Sequence, residues 1–404
     1  MTADHELGQV IAEEIAANGP MTFARYMELC LYHPALGYYR RPDLNIGKAG
    51  DFYTSPQVGA IFGRTLARQA EDVWSAAGKP GQFWVVEYGA GTGALAADLI
   101  EALAGSPAGP ALRYLIIETS ERLREVQAAT IAGVRGGGGD RQGRGGESLH
   151  RIPVTWAPDL GPVERAPACV IANELVDAFP VHVVRGKGRG GRGGRDARGT
   201  PGDLEELYVT DGKDGLTFQS GPPSRPELAS YFKWLGVRLA DGQQAEANLQ
   251  ALDWLEELDD GLTRGAALVI DYGYLSPSLY DPDFRFDGTV MTYHRHRADP
   301  DPFQSPGDRD ITAHVNFSAL GKRANELGWT VAGYADQLHF LVNLGILDAI
   351  SADPGGGPSP EARAAKQLIM PGGMGERFKV LALCKGLGNP SLKGFGGILP
   401  GRAE

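Results

Sequence analysis

The chain has 404 residues, 42% of them apolar, a net charge of −11 and three widely separated cysteines, Cys30, Cys169 and Cys384. Such a length and apolar content suit a folded protein with a large core and exclude a low-complexity chain. The acidic balance argues against a general nucleic-acid binder, and the scattered cysteines point to neither a disulfide framework nor a metal site.

The first residues, Met1-Thr2-Ala3-Asp4-His5-Glu6, are acidic and resemble neither a signal peptide nor an Arg-rich transit peptide. No stretch of 18 apolar residues occurs, so no membrane span is expected. A reducing, cytoplasmic location is the expectation. Residues 7–31 pattern as two helices broken at Asn18-Gly19-Pro20, with Thr22 as the cap of the second. Residues 32–56 are loop-rich and aromatic, ending in Gly50-Asp51-Phe52-Tyr53-Thr54-Ser55-Pro56, and 58–77 is helical again.

An α/β alternation follows. Phe83-Trp84-Val85-Val86 reads as a buried strand, 89–93 as a turn and 94–104 as a helix. Further strands are expected at Tyr114-Leu115-Ile116-Ile117, Val154-Thr155-Trp156, 168–172 and 266–270, with Ser120 capping a helix through Thr130. Continuous apolar strands alternating with helices imply a mostly parallel sheet covered on both faces. Residues 134–147 and 186–202 are Gly/Arg-rich and read as solvated, disordered insertions rather than core. The segment 224–262 reads as a helical insertion or lid, 337–370 as helical, and 329–334 and 378–383 as the last strands. The expected organisation is therefore an N-terminal helical region (1–80) whose aromatic loop packs on the core. A Rossmann-like core (81–223 and 263–385), the insertion (224–262) and a tail (386–404) follow.

The strongest motif is Val85-Val86-Glu87-Tyr88-Gly89-Ala90-Gly91-Thr92-Gly93-Ala94. A strand runs into Gly89, Gly91 and Gly93, which permit a sharp turn and close backbone approach to a ligand at a helix N-terminus. The string also satisfies the dinucleotide pattern, so a nicotinamide-dependent oxidoreductase is one reading. Glu87 favours a cationic ligand instead, S-adenosylmethionine, because a carboxylate suits an amino-acid ammonium and not a pyrophosphate. Glu118, ending the next strand, can accept both hydroxyls of a ribose or simply cap the following helix. Trp156 is placed to stack on adenine or to sit in the core.

The chain resembles the MidA-like methyltransferases, whose mitochondrial members are assembly factors for respiratory complex I. The resemblance rests on Gly50 to Pro56, Glu87 to Gly93, Glu118-Thr119-Ser120, Ala172-Asn173-Glu174-Leu175-Val176-Asp177-Ala178-Phe179-Pro180, Ile270-Asp271-Tyr272-Gly273-Tyr274 and Asp310-Ile311-Thr312-Ala313-His314-Val315-Asn316-Phe317. Tyr88, Ala90-Gly91-Thr92, Phe179 and Asn316 depart from the usual residues. The resemblance implies a class I, Rossmann-like α/β fold with extra helices, S-adenosylmethionine as cofactor, and methylation of an arginine on a partner protein, a subunit of respiratory complex I. A non-catalytic assembly factor that keeps the fold is the other reading.

Methyl transfer from a sulfonium chiefly requires a nucleophile held in line with the methyl group. A guanidinium is a poor nucleophile while protonated, so carboxylates that hold it and accept its proton suit the task. Asn173, Glu174 and Asp177 stand at the carboxyl end of the fourth strand, where open α/β sheets bind ligands. Glu174 and Asp177 are expected on one turn as a guanidinium clamp, with Asn173 orienting the substrate or bonding to the cofactor; ordinary first-turn acids of a helix are the alternative. Asp310 and His314 are candidates to finish the substrate pocket. Asp271 ends the fifth strand at the same edge, and 50–56 is expected to fold over the cofactor with Ser55 near it.

Overall fold

The computed structural model describes residues 3–41, 55–136, 151–187, 203–294, 297–351 and 359–396. The glycine-aromatic stretch 50–54 and most of both Gly/Arg-rich segments lie outside them. The chain divides into two compact units, the first within 1–52, 177–254 and 273–320, the second within 53–176, 255–272 and 321–404.

The second unit holds the sheet that the apolar runs announce. Its strands are β1 (Phe83–Tyr88), β2 (Leu112–Ile117), β3 (Val154–Ala157), β4 (Ala168–Asn173), β5 (Gly265–Tyr274), β6 (Thr330–Asp336) and β7 (Phe378–Lys385). They lie in the order β6-β7-β5-β4-β1-β2-β3. β1 to β5 run parallel, and β7 is antiparallel to both of its neighbours. All six residues of β4 are buried, as parallel strands covered on both faces require. The covering helices include α1 (Ile61–Ala76), α2 (Ala94–Ala104) and α3 (Glu121–Gly136). One core joins Phe62, Leu66 and Trp74 of α1 and Leu99 of α2 to Val85, Ile116, Ile171 and Leu268 of the sheet.

The first unit differs from the expected organisation. The helices Ala3–Asn18 and Phe23–Tyr32 are present, and Thr22 caps the second by accepting from the Arg25 N–H. The unit also holds a five-stranded antiparallel sheet built from Met21–Thr22, His182–Gly186, Leu204–Gly212, Gly215–Gly221 and Gln244–Ala247. Residues 182–221 therefore do not join the parallel core, and 224–262 is not wholly helical. Helix Pro226–Trp234 is followed by the strand Gln244–Ala247 and then by helix Gln250–Gly261. Helix α1, assigned by sequence to an N-terminal region, packs in the core of the second unit. The stretch 337–370 contains three short helices, Gln337–Asn343, Asp348–Ser351 and Pro360–Leu368, rather than one. Gly345, in the left-handed region at φ 85°, ends the first of them. The cysteines are free and buried, Cys30 in the first unit and Cys169 and Cys384 in the second. No helix among the described residues is long and apolar enough to cross a membrane.

Candidate functional site

The turn after β1 is built as its sequence requires. Gly89, Gly91 and Gly93 all take positive φ, 65°, 52° and 81°, a region that side chains with Cβ avoid. Gly93 has a second reason to be glycine. A Cβ there would lie 2.9 Å from Cα of Gln127, so its absence lets α3 press against the turn. Helix α2 starts at Ala94 with no side-chain cap, which leaves first-turn N–H groups to a ligand or to solvent.

Glu87 is 2% exposed and pairs in register with Ile116 of β2 and Ile171 of β4. The Tyr114 hydroxyl donates to its Oε2 at 2.5 Å. Burial pushes the Glu87 carboxyl up to about 7 despite that bond, and the nearby Asp98 carboxylate pushes the same way. Asp98, on α2, is itself raised to about 6 by burial, with Arg64 pulling against it. A buried carboxyl poised near neutrality is ready to ionise when a cation arrives.

Glu118 follows β2 and is half-buried. Its Oε1 accepts from the Ser120 N–H at 2.7 Å and its Oε2 from Nε2 of Gln127 at 3.1 Å. Trp156 is half-buried, packs against the core, and donates from Nε1 to Gln127 Oε1 at 3.0 Å. The Trp156 ring is thus core-packed, and its edge reaches the network beside Glu118.

The end of β4 is not the start of an α-helix. Glu174 sits at φ 52°, outside the helical region, and only the single 3-10 turn Val176–Ala178 follows. Pro180 and the antiparallel strand His182–Gly186 then carry the chain away. The reading of Glu174 and Asp177 as neighbours on one helical turn is therefore corrected; Glu174 belongs to the second unit and Asp177 to the first. The turn is held by the end of β5. Glu174 N–H donates to Ile270 C=O at 2.8 Å, and Val176 N–H donates to Asp271 Oδ2 at 3.0 Å. Asp271, fully buried, acts here as an anchor for the turn.

The Glu174 carboxylate is fixed in turn. Its Oε1 accepts from the Ser55 N–H at 3.1 Å and from Asn173 Nδ2 at 3.2 Å. Ser55, fully buried, donates from Oγ to Gln337 Oε1 at 3.2 Å, and Gln337 Nε2 donates to Leu368 C=O at 3.0 Å. Asn173 is 9% exposed, and its Oδ1 is buried with no hydrogen-bond partner among the described residues. A buried acceptor left this way is costly and calls for explanation.

In the first unit the structure gathers Asp177 and Asp310 around two tyrosines. Tyr39 OH donates to Asp310 Oδ1 at 2.9 Å, Tyr32 OH donates to Ala178 C=O at 2.9 Å, and Asp177 C=O accepts from the Ala313 N–H. Burial holds both tyrosine hydroxyls far above their usual range, and the two aspartates add to it, so they remain donors. Asp310 lies in the strand Asp310–Thr312. The His314 ring lies 5.6 Å from that of Tyr274. Burial, with the Arg285 charge beside it, pushes His314 down to about 4, so the ring is neutral at pH 7.

Sequence reasoning missed Gln127, Gln337, Tyr114 and Tyr39. The glutamines carry no motif. The tyrosines stood inside segments read only as strand and loop.

A family model described as a putative S-adenosyl-L-methionine-dependent methyltransferase matches residues 65–335. The mitochondrial protein arginine methyltransferase NDUFAF7 of Mus musculus is 32% identical, over 92% of this chain and 82% of its own. The Homo sapiens protein of the same name is 31% identical, over 92% and 81%. A Burkholderia thailandensis protein crystallised with S-adenosyl-homocysteine shares 34% identity and a TM-score of 0.83, covering 98% of this chain and 95% of the other. These relatives overturn the expected cytoplasmic location, since the curated ones are named as mitochondrial proteins. The chain belongs to this family of S-adenosylmethionine-dependent methyltransferases.

Proposed function

We propose that the chain transfers a methyl group from S-adenosylmethionine to an arginine of a partner protein, on a class I, Rossmann-like core. The fold reading is supported by strand order. Numbered along the chain, the sheet runs 3-2-1-4-5 from one edge, the doubly wound order, and closes with the antiparallel pair β7 and β6. The glycine turn lies at the carboxyl end of β1, beside the point where that order reverses, where such sheets bind nucleotides.

The single observation that carries the reading is the end of β4: a left-handed Glu174 whose carboxylate is fixed by Ser55, beside an Asn173 with a buried, unpartnered Oδ1. Backbone strain and an unmatched acceptor at the ligand-binding edge of a sheet mark a functional site. The residues fit the cofactor. Glu87 would receive its ammonium group, Gly89, Gly91 and Gly93 would let the backbone approach, Glu118 would take the ribose hydroxyls, and Trp156 would flank the base. Bound S-adenosylmethionine supplies an electrophilic methyl group. Asn173 Oδ1 would accept from an N–H of cofactor or substrate. Glu174 draws positive charge toward one part of the guanidinium and takes the proton released from the attacking nitrogen. Asp177 and Asp310, with Tyr39 OH fixing the latter, offer carboxylates for a cationic side chain in the first unit. His314, neutral and packed on Tyr274, is assigned to shaping that region and not to proton transfer.

The relatives named as protein arginine methyltransferases support the choice of arginine. A subunit of respiratory complex I as the substrate rests on the family resemblance. The test is incubation of the chain with methyl-labelled S-adenosylmethionine and a respiratory-membrane extract, followed by amino-acid analysis of the labelled protein. Label is expected in methylarginine. Glu174→Gln is expected to lower the rate about 100-fold while S-adenosyl-homocysteine affinity stays within a few-fold. Label in lysine, or near-normal turnover of Glu174→Gln, sinks the assignment.

A further inference from the structure

We propose that Gln127 is a positioning residue that sets the orientation of the Glu118 carboxylate, and through it the selectivity for a nucleoside with an intact ribose diol. The proposal rests on the reading of Glu118 as the ribose acceptor. Gln127 is fully buried on α3. Its Nε2 donates to Gly91 C=O at 3.0 Å and to Glu118 Oε2 at 3.1 Å, while its Oε1 accepts from Trp156 Nε1 at 3.0 Å. One amide therefore ties together the glycine turn, the acid after β2 and the tryptophan of β3.

A primary amide offers two donors and an acceptor on one rigid plane. Glutamate lacks the donors, and methionine lacks both donors and a strong acceptor. Glutamine is thus the residue of this length that satisfies all three partners at once. The approach that makes this possible depends on Gly93, whose missing Cβ leaves room for Cα of Gln127.

The effect on Glu118 follows from lone-pair arithmetic. An ionised carboxylate has about four acceptor sites, two on each oxygen. Ser120 N–H occupies one on Oε1, and Gln127 occupies one on Oε2. One site per oxygen remains, the number a vicinal diol needs for its two O–H donors. With Gln127 removed, the carboxylate is held on one side only and can turn about its terminal torsion, which is soft. The diol then meets an acceptor that must be ordered on binding.

The experiment compares S-adenosyl-homocysteine with its 2′-deoxy analogue by calorimetry on the full chain, in wild type, Gln127→Met and Glu118→Ala. Wild type is expected to favour the intact ribose about tenfold, the worth of one good hydrogen bond. In Gln127→Met that preference is expected to fall below about threefold, with S-adenosyl-homocysteine itself weakened about tenfold. The KM for S-adenosylmethionine should rise while kcat holds within about twofold, because the residue acts on binding and not on the methyl group. A purely structural tie would lower thermal stability and leave the ribose preference unchanged, which overturns the proposal. Wild type without any ribose preference overturns the Glu118 reading as well. Preference abolished in Glu118→Ala but intact in Gln127→Met overturns the Gln127 proposal alone. Should Gln127→Met fail to fold, Gln127→Glu keeps length and polarity. It sets a second carboxylate beside Glu118, so S-adenosyl-homocysteine should bind more weakly at pH 8 than at pH 6, relative to wild type. An unaltered pH profile in that variant also overturns it.

Discussion

The two ends of the candidate site are built on opposite principles. Around the glycine turn, Gln127 spends both donors and its acceptor, and both carboxylate oxygens of Glu118 have protein partners. At the end of β4, Glu174 holds a left-handed backbone and Asn173 Oδ1 is buried with no partner among the described residues. The backbone conformation costs about 1–2 kcal/mol, and the buried acceptor about 1–3 kcal/mol. The first region is ordered from within the chain, as a cradle for a cofactor should be. The second carries local cost at the point where chemistry is proposed, a pattern expected of reactive sites.

The largest effect that can break this contrast comes from Gly93→Val. A Cβ at φ 81° would sit 2.9 Å from the Gln127 backbone. A loss of about 3 kcal/mol in stability is expected, with S-adenosyl-homocysteine binding down about 100-fold or more by calorimetry. Full affinity in this variant would mean that the cradle is not built by the turn.

A smaller effect separates the regions by pH. Folding lifts the Glu87 carboxyl from 4.5 to about 7, so the ligand-free folded state binds its proton more tightly than the unfolded chain. Its contribution to stability is present below about pH 4.5 and is lost as pH rises through 7, roughly 3 kcal/mol in all. A ligand ammonium beside Glu87 favours the ionised form, so affinity for S-adenosyl-homocysteine should climb about tenfold from pH 5.5 to 7.5, with proton release on binding. Calorimetry in buffers of different ionisation enthalpy measures that release. Affinity independent of pH over this range would remove Glu87 from the ammonium subsite.

The smallest effect is expected from Ser55→Ala. The hydroxyl bond to Gln337 is lost, while the backbone N–H that holds Glu174 stays. Stability should fall by about 1 kcal/mol in a urea melt, and methyl transfer should remain within about threefold. A loss as large as that of Glu174→Gln would show that the hydroxyl itself belongs to the chemistry.

Much of the second unit was legible because parallel strands are buried on both faces. Val85-Val86, Leu115-Ile116 and Leu268-Val269-Ile270 stand out as unbroken apolar runs. The antiparallel sheet was not, since one face of Leu204–Gly212 and much of Gly215–Gly221 meet solvent and alternate with polar residues. Its hairpin did leave a signal: Asp211-Gly212-Lys213-Asp214-Gly215 closes a two-residue loop with Gly212 paired to Gly215. In the candidate site, the glycines and Glu87 stood out along one strand–turn–helix, and Glu118 at the end of the next strand. The helical turn assigned to Glu174 and Asp177 was not what the chain does, because Ile270 and Asp271, almost a hundred residues on, fix that backbone. Gln127 and Gln337 were invisible for the same reason: each acquires its role from partners distant in sequence.

The buried thiols give the molecule its own opening clocks. Burial lifts Cys30 and Cys384 to about 12 and Cys169 higher still, so none is a reactive thiolate in the closed protein. An alkylating reagent can reach them only through transient unfolding. Because Cys30 lies in one unit and Cys169 and Cys384 in the other, peptide-resolved labelling times each unit separately, with no foreign probe attached.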